Sequence, residues 1–146
     1  MENSRIPTLK EVEDIDIDPE RDFYSATPEE IKKGYTTDIY FVSAQEILRH
    51  LNLEDTIVVA EIFPRGSGVM CGVPEVLNLL SSVPVEVWSL SEGEEFSSKE
   101  VIMRIRGPYS AFGVFETPIL GILAHSSGWA TAARECKVAA GEKIVL

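Results

Sequence analysis

The C-terminal third, "PYSAFGVFETPILGILAHSSGWATAARECKVAAG", most limits what this chain can become. Its apolar spacing predicts a helix from about Tyr109 to Ala140, closed by Gly141, which is free to take the left-handed conformation that ends helices. Gly121, Ala124, Gly128 and Ala132 recur at i, i+3, i+7 and i+11, a small-residue stripe that lets another element approach closely. Pro118 either marks a helix start, with Thr117 as cap, or kinks a longer helix. Glu116, Pro118 and His125 break the apolar run well short of the ~20 residues that cross a bilayer, so no membrane partner is expected.

Upstream, "ATPEEIKKGY" reads as a short helix. Thr27 caps it, Pro28 takes its first position, Glu30 completes a capping box and Gly34 ends it. In "VSAQEILRHLN", Ser43 and Glu46 predict a second capping box, opening a helix that turns Ile47, Leu48 and Leu51 inward. Between the two lies the polar aromatic cluster "KKGYTTDIYF". "TIVVAEIF" fits a central strand and "GVMCG" a short second one. "VPEVLNLL" has helical spacing of Val73, Val76, Leu77 and Leu80. "VEVWSL" and "VIMRIRG" alternate. In the latter, Val101, Met103 and Ile105 share one face, and Ile102, Arg104 and Arg106 the other. "LSEGEEF" is hairpin material, with Gly93 suited to positive φ. The expected fold is α/β in the α+β sense, an antiparallel sheet flanked by helices and ending in a long one.

The formal net charge of −11 argues against a nucleic-acid partner. Residues 1–22 carry −5 of it and include Pro7 and Pro19, too little apolar surface to offset the entropy of ordering. They are expected to form a flexible acidic leader, followed by an α/β domain over 23–112 and an exit helix over 113–146. The N-terminus is acidic and lacks the apolar stretch of a signal peptide. Cys71 and Cys136 lack CxxC partners and read as reduced thiols. A cytoplasmic location is expected.

Most chemistry fails on spacing. Asp14, Asp16 and Asp18 resemble the start of a calcium loop, but Pro19 and Ser25 stand where glycine and glutamate are needed. "PRGSGVMCG" lacks the Lys-Ser/Thr of a phosphate loop and reads as a turn. His50 and His125 have no second ligand or triad partner at a telling distance. Ser126 and Ser127 lack the glycine pattern of a nucleophile elbow and read as packing or backbone-bonding residues. Glu116, among apolar neighbours, calls for an arginine or backbone partner. No metal site and no catalytic residue is expected.

Two stretches together carry a resemblance. "IKKGYTTDIYF" resembles the Thr-Asp-x-Tyr signature of nicotinate phosphoribosyltransferases, and "GPYSAFGVFETPILGILAHSSGWATAARECKVAAGE" resembles the segment in which those enzymes leave their N-terminal domain for an α/β barrel. The match covers about residues 23–146. It implies the N-terminal domain of a type II phosphoribosyltransferase that joins nicotinate to phosphoribosyl pyrophosphate, making nicotinate mononucleotide for NAD synthesis. ATP is a further co-substrate, and Mg2+ is expected in the full enzyme. By the same resemblance Tyr40 stacks on the pyridine ring in a partner subunit's barrel, Asp38 fixes the loop or holds the ribosyl end, and Thr37 matches the motif threonine. Flat aromatic faces suit such a ring. The partners implied are nicotinate and the barrels of its own and a neighbouring subunit in a homodimer.

The family's barrel motifs, including Phe-Gly-x-Arg-Arg and the phosphorylated histidine, have no counterpart here, so a fragment inactive alone is expected. Pro118 stands where the family usually has a helix former. In the quinolinate branch an arginine that grips the second carboxylate follows the matched glutamate. Here Thr117 stands there, which favours nicotinate. The alternatives are a quinolinate phosphoribosyltransferase domain and a non-catalytic interaction module docking through the small-residue stripe.

Overall fold

The computed structural model describes residues 8–15 and 25–145. Its elements are α1 (Leu9–Glu13), α2 (Pro28–Lys32), α3 (Ile39–His50), β1 (Ile57–Ile62), β2 (Gly68–Val69), α4 (Val73–Leu80), β3 (Glu86–Ser89), β4 (Glu95–Phe96), β5 (Met103–Pro108), α5 (Tyr109–Phe112), a turn of 3-10 helix (Gly113–Phe115) and α6 (Glu116–Ala140). The chain divides into two compact units, one of residues 1–58 and 107–118, the other of 59–106 and 119–146. The fold is α+β, with small antiparallel sheets and a long closing helix.

In the first unit, α2 follows its sequence signals. The Thr27 hydroxyl accepts from the Glu30 amide, the Glu30 carboxylate accepts from the Thr27 amide, and Gly34 has φ of 81°. The next helix departs from expectation. It opens at Ile39 with Asp38 as N-cap, and Ser43 lies inside it, donating to the Ile39 carbonyl at 3.2 Å. Phe41, Val42 and Gln45 are buried, while Ile47 and Leu51 face solvent. An aspartate whose carboxylate accepts from the Tyr40 amide starts the helix a turn earlier than Ser43 would.

Part of the acidic leader, residues 8–15, is described. Thr8 and Glu11 form a capping box around α1, and the Leu9 amide donates to Glu46 Oε1 at 2.9 Å. Within the expected leader, residues 9–13 thus form a short capped helix with a bond to α3. Residues 1–7 and 16–22, with Asp16 and Asp18 of the calcium-like pattern, lie outside the described residues.

In the second unit, one sheet has the order β1-β5-β3. β3 and β5 are antiparallel, pairing Glu86 with Arg106 and Trp88 with Arg104. Met103 and Ile105 are buried while Arg104 and Arg106 are exposed and bonded to Glu61 and Glu86, as the alternation predicts, whereas Ile102, expected on the arginine face, is buried just before the strand. β1 is an edge strand, not a central one, and its residues alternate between exposed and half-buried. "LSEGEEF" turns with Gly93 at φ 84°, but β4 pairs with β2 instead of folding back on β3. α4 buries Val73, Val76, Leu79 and Leu80, with Leu77 left exposed.

The long helix reads differently in detail. α5 and the 3-10 turn precede α6, which begins two residues before Pro118. The missing proline amide then falls in the first turn, where it has no helical acceptor to lose. Gly141 closes it with φ of 60°. The buried stripe of α6 is Ile119, Leu123 and Ser127, not the small residues. A Cβ added at Gly121 or Gly128 would meet nothing within 4 Å.

Side chains of α6 hold β2. Ser127 Oγ accepts from the Cys71 amide at 3.0 Å and donates to the Cys71 carbonyl. Thr131 Oγ1 accepts from the Val69 amide at 2.9 Å. Ser127 is thus the backbone-bonding residue its context suggests. Gly68 permits this approach, since a Cβ there would stand 2.6 Å from Thr131 Oγ1 and 2.8 Å from the Phe96 ring.

Gly68→Ala is therefore expected to lower stability by about 1–3 kcal/mol, read by urea unfolding. A second test concerns Glu92, whose carboxylate accepts from the Gly72 and Val73 amides at 2.8 and 3.0 Å and caps α4 in place of a side chain at Gly72. Desolvation pushes its pKa up, but hydrogen bonds from Gly72, Cys71 and Val73 outweigh it and hold the carboxyl below 4.5. The folded pKa lies below the unfolded one, so this stability is present above about pH 4.5 and is lost as pH falls through the folded value. Glu92→Gln should flatten the acid limb of the stability profile.

Candidate functional site

Asp38 fixes the start of α3. At the start of α3 its backbone is extended (φ −75°, ψ 140°) and its carboxylate accepts from the Tyr40 amide at 3.3 Å. Its own amide donates to Thr117 Oγ1 at 3.2 Å, tying residues 79 apart in sequence. Tyr40 follows on the first turn, 54% exposed. Its ring centroid lies 3.9 Å from that of buried Phe41, tilted by 38°, so an aromatic face is held out on an apolar base. The hydroxyls of Thr36 and Thr37 are buried and have no hydrogen-bond partner among the described residues.

A second aromatic joins them. The Tyr109 amide donates to the Thr56 carbonyl at 3.1 Å, and the ring meets Phe112 edge to face at 6.0 Å and 77°. Its ring also lies over Gly113, where a Cβ would come within 2.9 Å of Tyr109 Cζ. Nothing in the apolar periodicity marks Tyr109 out. Its place follows from Gln45, which is buried on α3 and donates from Nε2 to the Ser110 carbonyl at 2.9 Å.

Glu116 opens α6 and is exposed, contrary to the expected buried pairing, and no ion pair to it is found among the described residues. A carboxylate suits the positive end of a helix dipole. Desolvation raises its pKa above 4.5. Desolvation, then the charges of Glu116 and Asp38, raise the Tyr40 phenol above 10.0. Desolvation, Glu116 and Tyr40 do the same for Tyr109. Both phenols are thus neutral donors at pH 7. The exposed Tyr40 ring can stack on a flat ring, and carboxylates nearby favour positive charge.

Other sequence candidates fall elsewhere. His50 is exposed near the end of α3, and His125 meets Trp129 edge to face at 6.3 Å. No group of three His, Cys, Asp or Glu that could hold a metal occurs among the described residues, so no Mg2+ site is assigned to them. After the glycine-rich loop, the Gly72 and Val73 amides are engaged by Glu92. No helix among the described residues is long and apolar enough to cross a membrane. Cys71 is half-buried, its thiol raised by a hydrogen bond to Glu92, while Cys136 is exposed.

Asp38→Ala should lower unfolding stability by about 1 kcal/mol, and Asp38→Asn should restore most of it, because asparagine caps as well as aspartate.

Comparison with known proteins places this geometry in a family. Residues 38–127 match the family model of the quinolinate phosphoribosyl transferase N-terminal domain. Nicotinate-nucleotide pyrophosphorylase from Pyrococcus furiosus is similar, with 40% identity and a TM-score of 0.78 over 82% of this chain. This chain spans 32% of that protein's length. Human nicotinic acid phosphoribosyltransferase shares 18% identity with a TM-score of 0.66 over 74% of this chain and 29% of its own. The nicotinate-nucleotide pyrophosphorylase of Ehrlichia chaffeensis shares 19%, with a TM-score of 0.60 over 82% of this chain and 44% of its own. The last two likenesses concern the fold alone. The match over residues 38–127 and the 40% identity establish that the chain belongs to the quinolinate phosphoribosyl transferase N-terminal domain family of phosphoribosyltransferases.

Proposed function

We propose that the chain serves an enzyme that forms nicotinate mononucleotide from phosphoribosyl pyrophosphate and a pyridine carboxylate, supplying the wall on which the pyridine ring stacks. The observation that carries this is Tyr40, an exposed ring seated on Phe41 at a capped helix start, in a chain 40% identical to a nicotinate-nucleotide pyrophosphorylase. Quinolinate, losing one carboxylate as carbon dioxide, is the base better supported by the matched family and by that relative. Asp38 holds the helix start, Thr37 offers its buried hydroxyl, and the remainder of the site, with Mg2+ and the phosphoribosyl group, belongs to a barrel domain across a homodimer.

A second reading, ATP-coupled use of nicotinate, rests on Thr117. The residue after Glu116 is neutral, and its hydroxyl already accepts from the Asp38 amide. It offers no guanidinium to a second carboxylate.

Incubating the complete protein with phosphoribosyl pyrophosphate and each base decides between them. Carbon dioxide release from quinolinate supports the first, whereas ATP-stimulated turnover of nicotinate without quinolinate use supports the second. In either case Tyr40→Ala should raise KM for the base roughly twofold to tenfold, the worth of one aromatic stack. Unchanged KM and kcat would remove Tyr40 from the site.

A further inference from the structure

We propose that the outward face of α6 pairs with the same face of a second copy of this chain, antiparallel across a two-fold axis, with Trp129 of each copy seated on Ala132 of the other. This contact lies on α6 alone and does not depend on the reading of Tyr40. The buried residues of α6 are Ile119, Leu123 and Ser127. At about 100° per residue, the far side of the helix carries Ile122, His125, Trp129, Ala132, Cys136 and Ala139, alternately three and four residues apart. That is the period at which two helices stay in contact along their length. Ile122 is half-buried and the others are exposed, Trp129 at 69%. The Trp129 ring is braced by His125, edge to face at 6.3 Å and 63°. Beside it lies an open hollow of about 320 Å3 lined by His125, Gly128, Trp129 and Ala132.

The order of side-chain sizes selects the occupant. Large groups fill the first half of the stripe, Ile122, His125 and Trp129, and small ones the second, Ala132, Cys136 and Ala139. Reversed on itself, the stripe sets Trp129 against Ala132, His125 against Cys136 and Ile122 against Ala139, so each bulky group meets a small one. A parallel copy would stack Trp129 on Trp129 and leave a void between the two Ala132 methyls. The flanking Gly121, Gly128, Ala133 and Ala140 are small and uncharged, and a Cβ at either glycine would meet nothing within 4 Å. Arg134 and Lys137 point away from the stripe, to Glu95 and to the Lys143 carbonyl. An aromatic centre depleted of charge is the make-up of an interface core. The stripe spans about 25 Å of helix. That is less area than a standard interface offers, so micromolar rather than nanomolar association is expected.

Sedimentation of the 146-residue chain across micromolar concentrations should show a monomer–dimer equilibrium. Trp129→Ala should weaken it at least tenfold, as loss of a central tryptophan does. Ala132→Trp alone should also weaken it, by setting ring against ring. The double variant W129A/A132W exchanges large for small and should recover most of the affinity. These positions are exposed, so circular dichroism of the variants should match that of the parent chain. Oxidation reads the orientation. In the antiparallel pair the two Cys136 lie about 16 Å apart along the axis, beyond the reach of a disulfide. His125→Cys places a thiol opposite Cys136 of the second copy and should give a covalent dimer that Cys136→Ser abolishes. A monomer at every concentration would leave this face to a different protein or to further chain, and overturns the inference. So does a dimer that Trp129→Ala does not weaken, or one in which the parent Cys136 pair crosslinks and the His125→Cys pair does not.

Discussion

A buried amide organises the first unit. Gln45 is 1% exposed, and a polar group so placed must be hydrogen bonded or cost about 1–3 kcal/mol. It donates to the Ser110 carbonyl, and the Ser110 hydroxyl in turn donates to the Glu54 carbonyl at 2.7 Å. These two bonds tie α5 to α3 and to the segment after it. Only half of the amide is engaged, because Gln45 Oε1 has no partner among the described residues. The geometry of one donor, rather than full satisfaction of the side chain, sets the arrangement.

The candidate site follows from helix ends. Asp38 gives its carboxylate to the first turn of α3 and its amide to Thr117, so one residue both starts a helix and ties it to the start of another. Helix starts gather unsatisfied amides, and side chains that satisfy them are held in one orientation. Tyr40 and Glu116 each lie within the first two residues of a helix, α3 with its Asp38 cap and α6 respectively. The acidic, aromatic character of the result differs from a phosphate site, which would gather free amides or basic groups.

The second unit uses the same economy for structure. α6 offers hydroxyls one turn apart to the backbone of residues 69–71, and Gly68 removes the side chain that would block them. Glu92 takes the amides at the start of α4. A glycine-rich stretch that might have cradled an anion is therefore spent on holding a strand against a helix and ending in a carboxylate-capped turn. The small residues of α6 face the other way, outward.

By itself the sequence determined whatever depends on near neighbours along the chain. The Thr27–Glu30 capping box, the stops at Gly34 and Gly141, the turn at Gly93 and the alternation of Met103 to Arg106 are local, and local rules read them correctly. Thr37, Asp38 and Tyr40 could be picked out as a group because they lie within four residues and resemble a Thr-Asp-x-Tyr signature. Tertiary structure decided what depends on competition or distance. Asp38 caps α3 by a local bond to Tyr40, but the acceptor of its own amide is Thr117, 79 residues away. β1 became an edge because its pairing within the sheet is with β5 on one side, and β4 paired with β2 rather than β3. α5 was tied to α3 through the hydrogen bond of Gln45 to Ser110, 65 residues on. A pattern of residue types encodes periods and caps, but which distant groups satisfy one buried donor is settled only when the chain has folded around it.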